Sequence, residues 1–202
     1  MTDVAIVGMA ALFPGAPDVE TFWHNIVNRV DSVTDVPATR WDPSYYDPAA
    51  WSQPASDKFY CRRGGFIDDI ATFDPAAFGI MPVAVDSTEP DQLLALKVAA
   101  AAIADAGGED HLGDRSRAGV ILGRGGYLSA GVARLDQRIR AGKQLVASLR
   151  ELVPGLSDDQ LAQVGLDFQA RLGPERPEAS IGLVPNLAAS RIANRLDLQG
   201  PA

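Results

Sequence analysis

Val4-Ala5-Ile6-Val7-Gly8-Met9-Ala10-Ala11-Leu12-Phe13-Pro14-Gly15 opens the chain with a short apolar run that breaks into a turn marked by glycine and proline. A continuous apolar run of this length, bounded by glycine, predicts a buried strand. Asp18 then suits a helix N-cap, and Val19, Phe22, Trp23, Ile26, Val27 and Val30 follow at helical spacing. The same pass recurs further on. Pro90 and Asp91 favour a first turn, the alanine-rich stretch to Ala104 continues it, and Gly107-Gly108 ends it. Ala118-Gly119-Val120-Ile121-Leu122 predicts a second buried strand, ending at Gly123-Arg124-Gly125-Gly126. Two such passes predict an α/β layer with a mixed or parallel sheet. The run of alanines from 99 to 102 predicts close approach of a neighbouring element.

Between Asp31 and Asp86 proline and aromatic residues replace periodicity. That pattern predicts a long ordered excursion packed by its own side chains, with Arg62-Arg63-Gly64-Gly65-Phe66 as a turn or short strand. Later, Val132, Leu135, Ile139, Gly142, Val146, Leu149 and Val153 form a helical stripe interrupted by one glycine. Pro154-Gly155 breaks it, and Ser157-Asp158-Asp159-Gln160 has the form of a capping box. Helices over 131–152 and 157–172 are therefore expected to make a helical hairpin. Asn186 is placed to cap a last helix with Ala189, Ile192, Ala193 and Leu196 on one face.

The composition narrows the chemistry. The chain has 202 residues, is 47% apolar and carries a net charge of −8, values that suit a packed domain and argue against a broad phosphate-binding face. A single Cys rules out an intrachain disulfide and a multi-Cys metal site, and two His leave little room for a His-based one. Met1-Thr2-Asp3 carries no basic leader and no apolar run is long enough to span a bilayer, so a cytoplasmic chain with no membrane or nucleic-acid partner is expected.

Each candidate site has a plainer competitor. Gly8 to Gly15 lacks the second and third glycines of a dinucleotide turn, because Ala10 and Phe13 stand there, and it lacks a phosphate-loop ending. Gly123 to Gly126 fits an anion nest or, more simply, a tight turn needing positive φ. Cys61, beside Arg62 and Arg63, has the surroundings to lower a thiol pKa, but neither His24 nor His111 is near in sequence. A spatial Cys61–His pair is left open. Among Asp68, Asp69, Asp74, Asp86, Glu89 and Asp91, spacing selects no acid–base pair. The aromatic cluster from Trp41 to Tyr60 suits stacking of a sugar or base, or a packed loop core; Lys58 is its only Lys or Arg.

The order of segments resembles a known family. The opening stretch 4–15, Phe22-Trp23, Val36-Pro37-Ala38-Thr39-Arg40-Trp41-Asp42, Tyr45-Tyr46-Asp47-Pro48, the stretch from Lys58 to Ile67, Phe73-Asp74-Pro75-Ala76-Ala77-Phe78-Gly79-Ile80-Met81-Pro82, Glu89-Pro90-Asp91-Gln92 and the stretch from Asn186 to Ala202 follow one another as in the β-ketoacyl synthase (condensing) domains of type I polyketide and fatty-acid synthases. The resemblance covers 1–126 and 181–202 and treats 131–172 as an inserted hairpin. It implies the N-terminal half of a thiolase-like fold, and a domain that, when complete, takes acyl chains from an acyl carrier protein as a homodimer.

The implied reaction is a decarboxylative Claisen condensation. A Cys after a Gly-Pro-Ser/Ala turn would accept the acyl group, and two His far downstream would promote decarboxylation of a malonyl thioester. Residue 202 comes before all three positions. Cys61, His24 and His111 match none of them, so no catalytic residue is carried over, and no cofactor or metal is implied. Two expectations follow: a fragment of the condensing enzyme that is inactive alone, or a non-catalytic interaction module or half of a split enzyme. On the first, the sheet strand due after Gly200-Pro201 would be lacking, and the isolated chain would be marginal or self-associating.

Overall fold

The computed structural model describes residues 3–86, 88–125, 130–174 and 184–202. The chain divides into two compact units, Met1–Phe73 with Lys97–Leu112 and Asp74–Leu96 with Gly113–Ala202. One long helix, α3 (Pro90–Asp105), contributes to both.

In the first unit, α1 spans Val19–Val27 and starts where expected: the Asp18 carboxylate accepts the Thr21 N–H at 2.7 Å. Before it the chain folds back tightly, with Phe13 and Ala16 exchanging both backbone hydrogen bonds around Gly15 at φ 68°. This stacks the Phe13 ring on Phe22, centroids 4.2 Å apart. Strands β1 (Val33–Asp35) and β2 (Arg63–Gly65) pair antiparallel, so the arginine–glycine segment resolves as a strand.

The excursion between the strands is packed by its own side chains. Asp42 and Asp47 cap short 3-10 turns at Pro43–Tyr45 and Pro48–Trp51. Trp51 meets Tyr60 edge-on at 5.0 Å, Arg62 lies over Tyr46, and Arg40 pairs with Asp68. The rings touch one another, but Trp51, Phe59 and Tyr60 stay 72%, 56% and 53% exposed, so the cluster is not a buried loop core.

The alanines of α3 do what their size permits. A Cβ on Gly8 would run into the Ala102 carbonyl and stand 2.8 Å from the Ala106 Cβ, so only glycine allows this approach. Gly107 and Gly108, both at positive φ, then end α3 by returning N–H groups to Ala104 and Ile103.

In the second unit, α2 is a single turn at Pro82–Val85, and the hairpin forms as expected. α4 (Ala130–Asp136) runs through a π turn at Gln137–Ala141 into α5 (Gly142–Leu152), and α6 (Asp158–Arg171) returns behind a complete Ser157–Gln160 capping box. The glycine in the stripe is explained by contact: a Cβ on Gly142 would lie 3.2–3.3 Å from Gln169 and Phe168. Gln169 donates to the Arg138 carbonyl inside the π turn at 2.7 Å, while the Arg138 guanidinium reaches the Leu172 and Gly173 carbonyls at the α6 C-terminus. Helix α7 (Leu187–Arg195) buries Ala188, Ile192 and Ala193. Asn186 stands at its N-cap position, but its side chain makes no capping bond.

The two predicted buried strands differ from expectation. Among the described residues the only named sheet is β1–β2, and Val4, Ile6 and Val7 are 93%, 81% and 76% exposed. An apolar run becomes a buried strand only when neighbours cover its edges and faces, and nothing described flanks residues 4–7 as a sheet. Residues 118–122 are partway there. Gln199, Gly200 and Val120 N–H groups donate to the Arg115, Ala118 and Pro201 carbonyls at 2.8–3.0 Å, so the two segments run side by side in the same direction. These bonds form no β-bridge, and Ile121 is fully exposed, so 118–122 is not the buried strand expected and does not pair with residues 4–7. The tightness of the contact explains two glycines, since a Cβ on Gly119 would lie 2.7 Å from the Pro201 carbonyl, and one on Gly200 equally close to that of Ala118.

Candidate functional site

The most constrained polar region lies in the second unit, where α3 begins. Thr88, Glu89 and Gln92 are all buried, Gln92 completely. Burial of such groups requires partners, and they have them. Glu89 accepts the Gly131 N–H at 2.9 Å, Thr88 donates to the Ala84 carbonyl at 2.7 Å, and the Gln92 carbonyl oxygen accepts from Arg191 Nε at 3.3 Å. Asp91 holds Arg124 through two guanidinium nitrogens. That hydrogen bond, with the Asp91 and Glu89 charges behind it, raises the Arg124 pKa against a smaller opposing effect of burial.

Arg191 is shifted the other way, first by burial and then by the like charge of Arg195. Arg195 itself donates to the Gly79 carbonyl at 3.1 Å, where Gly79 turns the chain at φ 60°. The cluster thus ties α3, α7 and the 74–82 segment together through satisfied hydrogen bonds. Glu89 and Asp91 in it each accept hydrogen bonds, so these acids serve to join the segments around them.

The sequence singles out Glu89 and Asp91 only as members of an acidic group, and it offers no signal for Gln92 or Arg191. Those two stand 99 residues apart and meet only in three dimensions. The remaining acids fall into turns and surface pairs, as with Asp74 accepting the Ala76 N–H and Asp68 pairing with Arg40. Gly123 itself is not at positive φ, and its neighbour Arg124 is paired with Asp91. Gly126 lies outside the described residues.

Cys61, His24 and His111 have separate local surroundings. Cys61 is exposed, with its Sγ 3.5 Å from the Arg63 carbonyl. His24 contacts the Asn28 amide on α1, and His111 Nδ1 lies 2.8 Å from the Gly107 carbonyl. Among the described residues no group of three His, Cys, Asp or Glu side chains is placed to hold a metal ion, and no helix is long and apolar enough to cross a membrane.

Helices with a small antiparallel sheet, and a glycine turn seated on an alanine-rich helix, match part of a thiolase-like fold in solved ketosynthase structures. The family model for the β-ketoacyl synthase N-terminal domain matches residues 1–202, and the chain belongs to that family. It is 43% identical over 122 residues to the polyketide synthase ThaQ of Burkholderia thailandensis, covering 58% of this chain and 6% of that protein. It is 27% identical over 203 residues to a polyunsaturated fatty acid synthase subunit from a Thraustochytrium species, covering 98% of this chain and 7% of that one. Among solved structures it resembles the oxazolomycin ketosynthase domain OzmH KS7 of Streptomyces albus at TM-score 0.62 and 26% identity, over 98% of this chain and 28% of the other. The chain therefore spans a small part of the curated relatives it matches, and about a quarter of that ketosynthase.

Proposed function

We propose that these 202 residues are the N-terminal scaffold of a ketosynthase domain that carries out decarboxylative Claisen condensation on acyl chains delivered by an acyl carrier protein. The match of the family model along the whole chain is the observation that carries this reading. In the complete domain a Cys thiolate would take the acyl group, with backbone N–H groups holding the oxyanion, and two His would drive decarboxylation of the malonyl thioester. The backbone hydrogen bonds between 118–120 and 200–201 would hold the chain as it leads toward that nucleophile's turn. The complete domain would work as a homodimer.

Residues 1–202 supply none of the covalent steps in this reading. Exposed Cys61, with a backbone carbonyl for its neighbour, supports a non-catalytic thiol. The hairpin at 131–172 is an insertion into the core made by 1–126 and 181–202.

The test is intact-mass analysis of the purified chain after incubation with acyl and malonyl thioesters. No adduct and no released carbon dioxide are expected. An acyl adduct that disappears in Cys61→Ser overturns the scaffold reading. Sequencing the DNA downstream of codon 202 distinguishes an in-frame continuation carrying the Cys and two His from a separate frame encoding them.

A further inference from the structure

Between α5 and α6 runs an open groove of about 540 Å³. Its floor is apolar and small, with Val146, Ala147, Ala162 and Gly165, and Leu166 stands 64% exposed in it. The charged residues that line it are Arg138, Lys143 and Arg150, and no carboxylate does. This departs from the rest of the molecule. Residues 130–174 carry six Arg and Lys against five Asp and Glu, in a chain of net charge −8.

The three cations differ in how committed they are. Arg138 is engaged with the Leu172 and Gly173 carbonyls and helps to hold the hairpin closed. Lys143 has no carboxylate partner among the described residues. Arg150 pairs with Asp158 at 2.8 Å, but the two side chains are 64% and 90% exposed, and such a pair is held weakly enough to exchange. Lys143 and Arg150 lie seven residues apart on one helix, about 10 Å along its axis.

A single small anion would engage only one of these two cations, because they stand about 10 Å apart along the helix. An exposed apolar strip flanked by two cations two turns apart instead matches a helix with an apolar stripe and acids at the same interval. We propose that this groove docks an acidic amphipathic helix of a partner protein, its apolar stripe on Val146, Ala147, Ala162 and Leu166 and its carboxylates on Lys143 and Arg150.

The test uses the full chain and a displayed library of helical peptides, about sixteen residues long, with a constant apolar stripe and flanking positions free to be acidic, basic or neutral. Enrichment of acidic members is expected. A labelled winner should bind about tenfold more weakly to Lys143→Glu, and changing the facing Glu of the peptide to Lys should restore binding. Leu166→Asp should also abolish it. Both positions are on the hairpin surface, and unchanged circular dichroism confirms that each variant folds. No acidic enrichment, or binding indifferent to both variants, overturns the proposal. So does charge-sensitive binding of the chain to phosphatidylglycerol vesicles in place of the peptide, or self-association that Lys143→Glu removes.

Discussion

The backbone N–H of Met9 donates to the Asp105 carboxylate at 2.8 Å, joining the turn after the first apolar run to the last turn of α3. The contact exists because Gly8 lets the chain lie on Ala102 and Ala106. Gly8→Val would force side-chain atoms into the Ala102 carbonyl and should destabilise the first unit by about 1–3 kcal/mol. Asp105→Ala removes only the hydrogen bond and should cost about 1 kcal/mol. All three tryptophans, at 23, 41 and 51, lie in that unit, so urea unfolding followed by tryptophan fluorescence reads both effects.

Gln92→Leu keeps the side-chain volume of a fully buried position but leaves Arg191 facing a hydrocarbon. A loss of about 1–3 kcal/mol is expected, read by far-ultraviolet circular dichroism, because the second unit contains no tryptophan. Arg191→Met in the same background should recover part of it, since both polar partners are then gone. An unchanged midpoint for Gln92→Leu would show that the pair contributes nothing.

The capping box of α6 gives a third, local measurement. Ser157 accepts from the Gln160 backbone at 3.2 Å, and the Gln160 side chain accepts in return from the Ser157 N–H at 2.9 Å. Ser157→Ala should cost about 1 kcal/mol and Ser157→Asp almost nothing, because Asp caps as well as Ser. Hydrogen exchange at the first turn of α6 should quicken in the alanine variant alone.

Acid should weaken the first unit. The Asp18, Asp31 and Asp42 carboxyls are held below the usual 3.8 mainly by backbone N–H donors, and Asp68 by its hydrogen bond from Arg40. A carboxylate whose folded pKa is depressed stabilises the fold above its unfolded value and loses that contribution as pH falls through the lower, folded one. The urea midpoint should therefore be flat down to about pH 4 and fall below it. Asp18→Asn keeps the cap but removes one titration, and should flatten the acid limb without moving the neutral-pH midpoint.

Elements whose cause is local were legible in the sequence. Asp18 caps α1, Gly107 and Gly108 end α3, and Ser157 with Gln160 starts α6, because each depends on side chains within a few residues of the backbone they satisfy. The ordered succession of short motifs pointed to the ketosynthase family, since those segments share one fold and one chain order. Tertiary structure alone decided the rest. Whether Val4 to Val7 is a strand depends on neighbours that four apolar residues do not specify, and the described residues leave it exposed. Gln92 and Arg191 carry no local signal, because a buried amide and a half-buried guanidinium find each other only when two helices pack. The groove on the hairpin arises in the same way: periodicity placed Val146 on a helical stripe, but only the crossing of α5 and α6 set Lys143 and Arg150 beside an exposed Leu166.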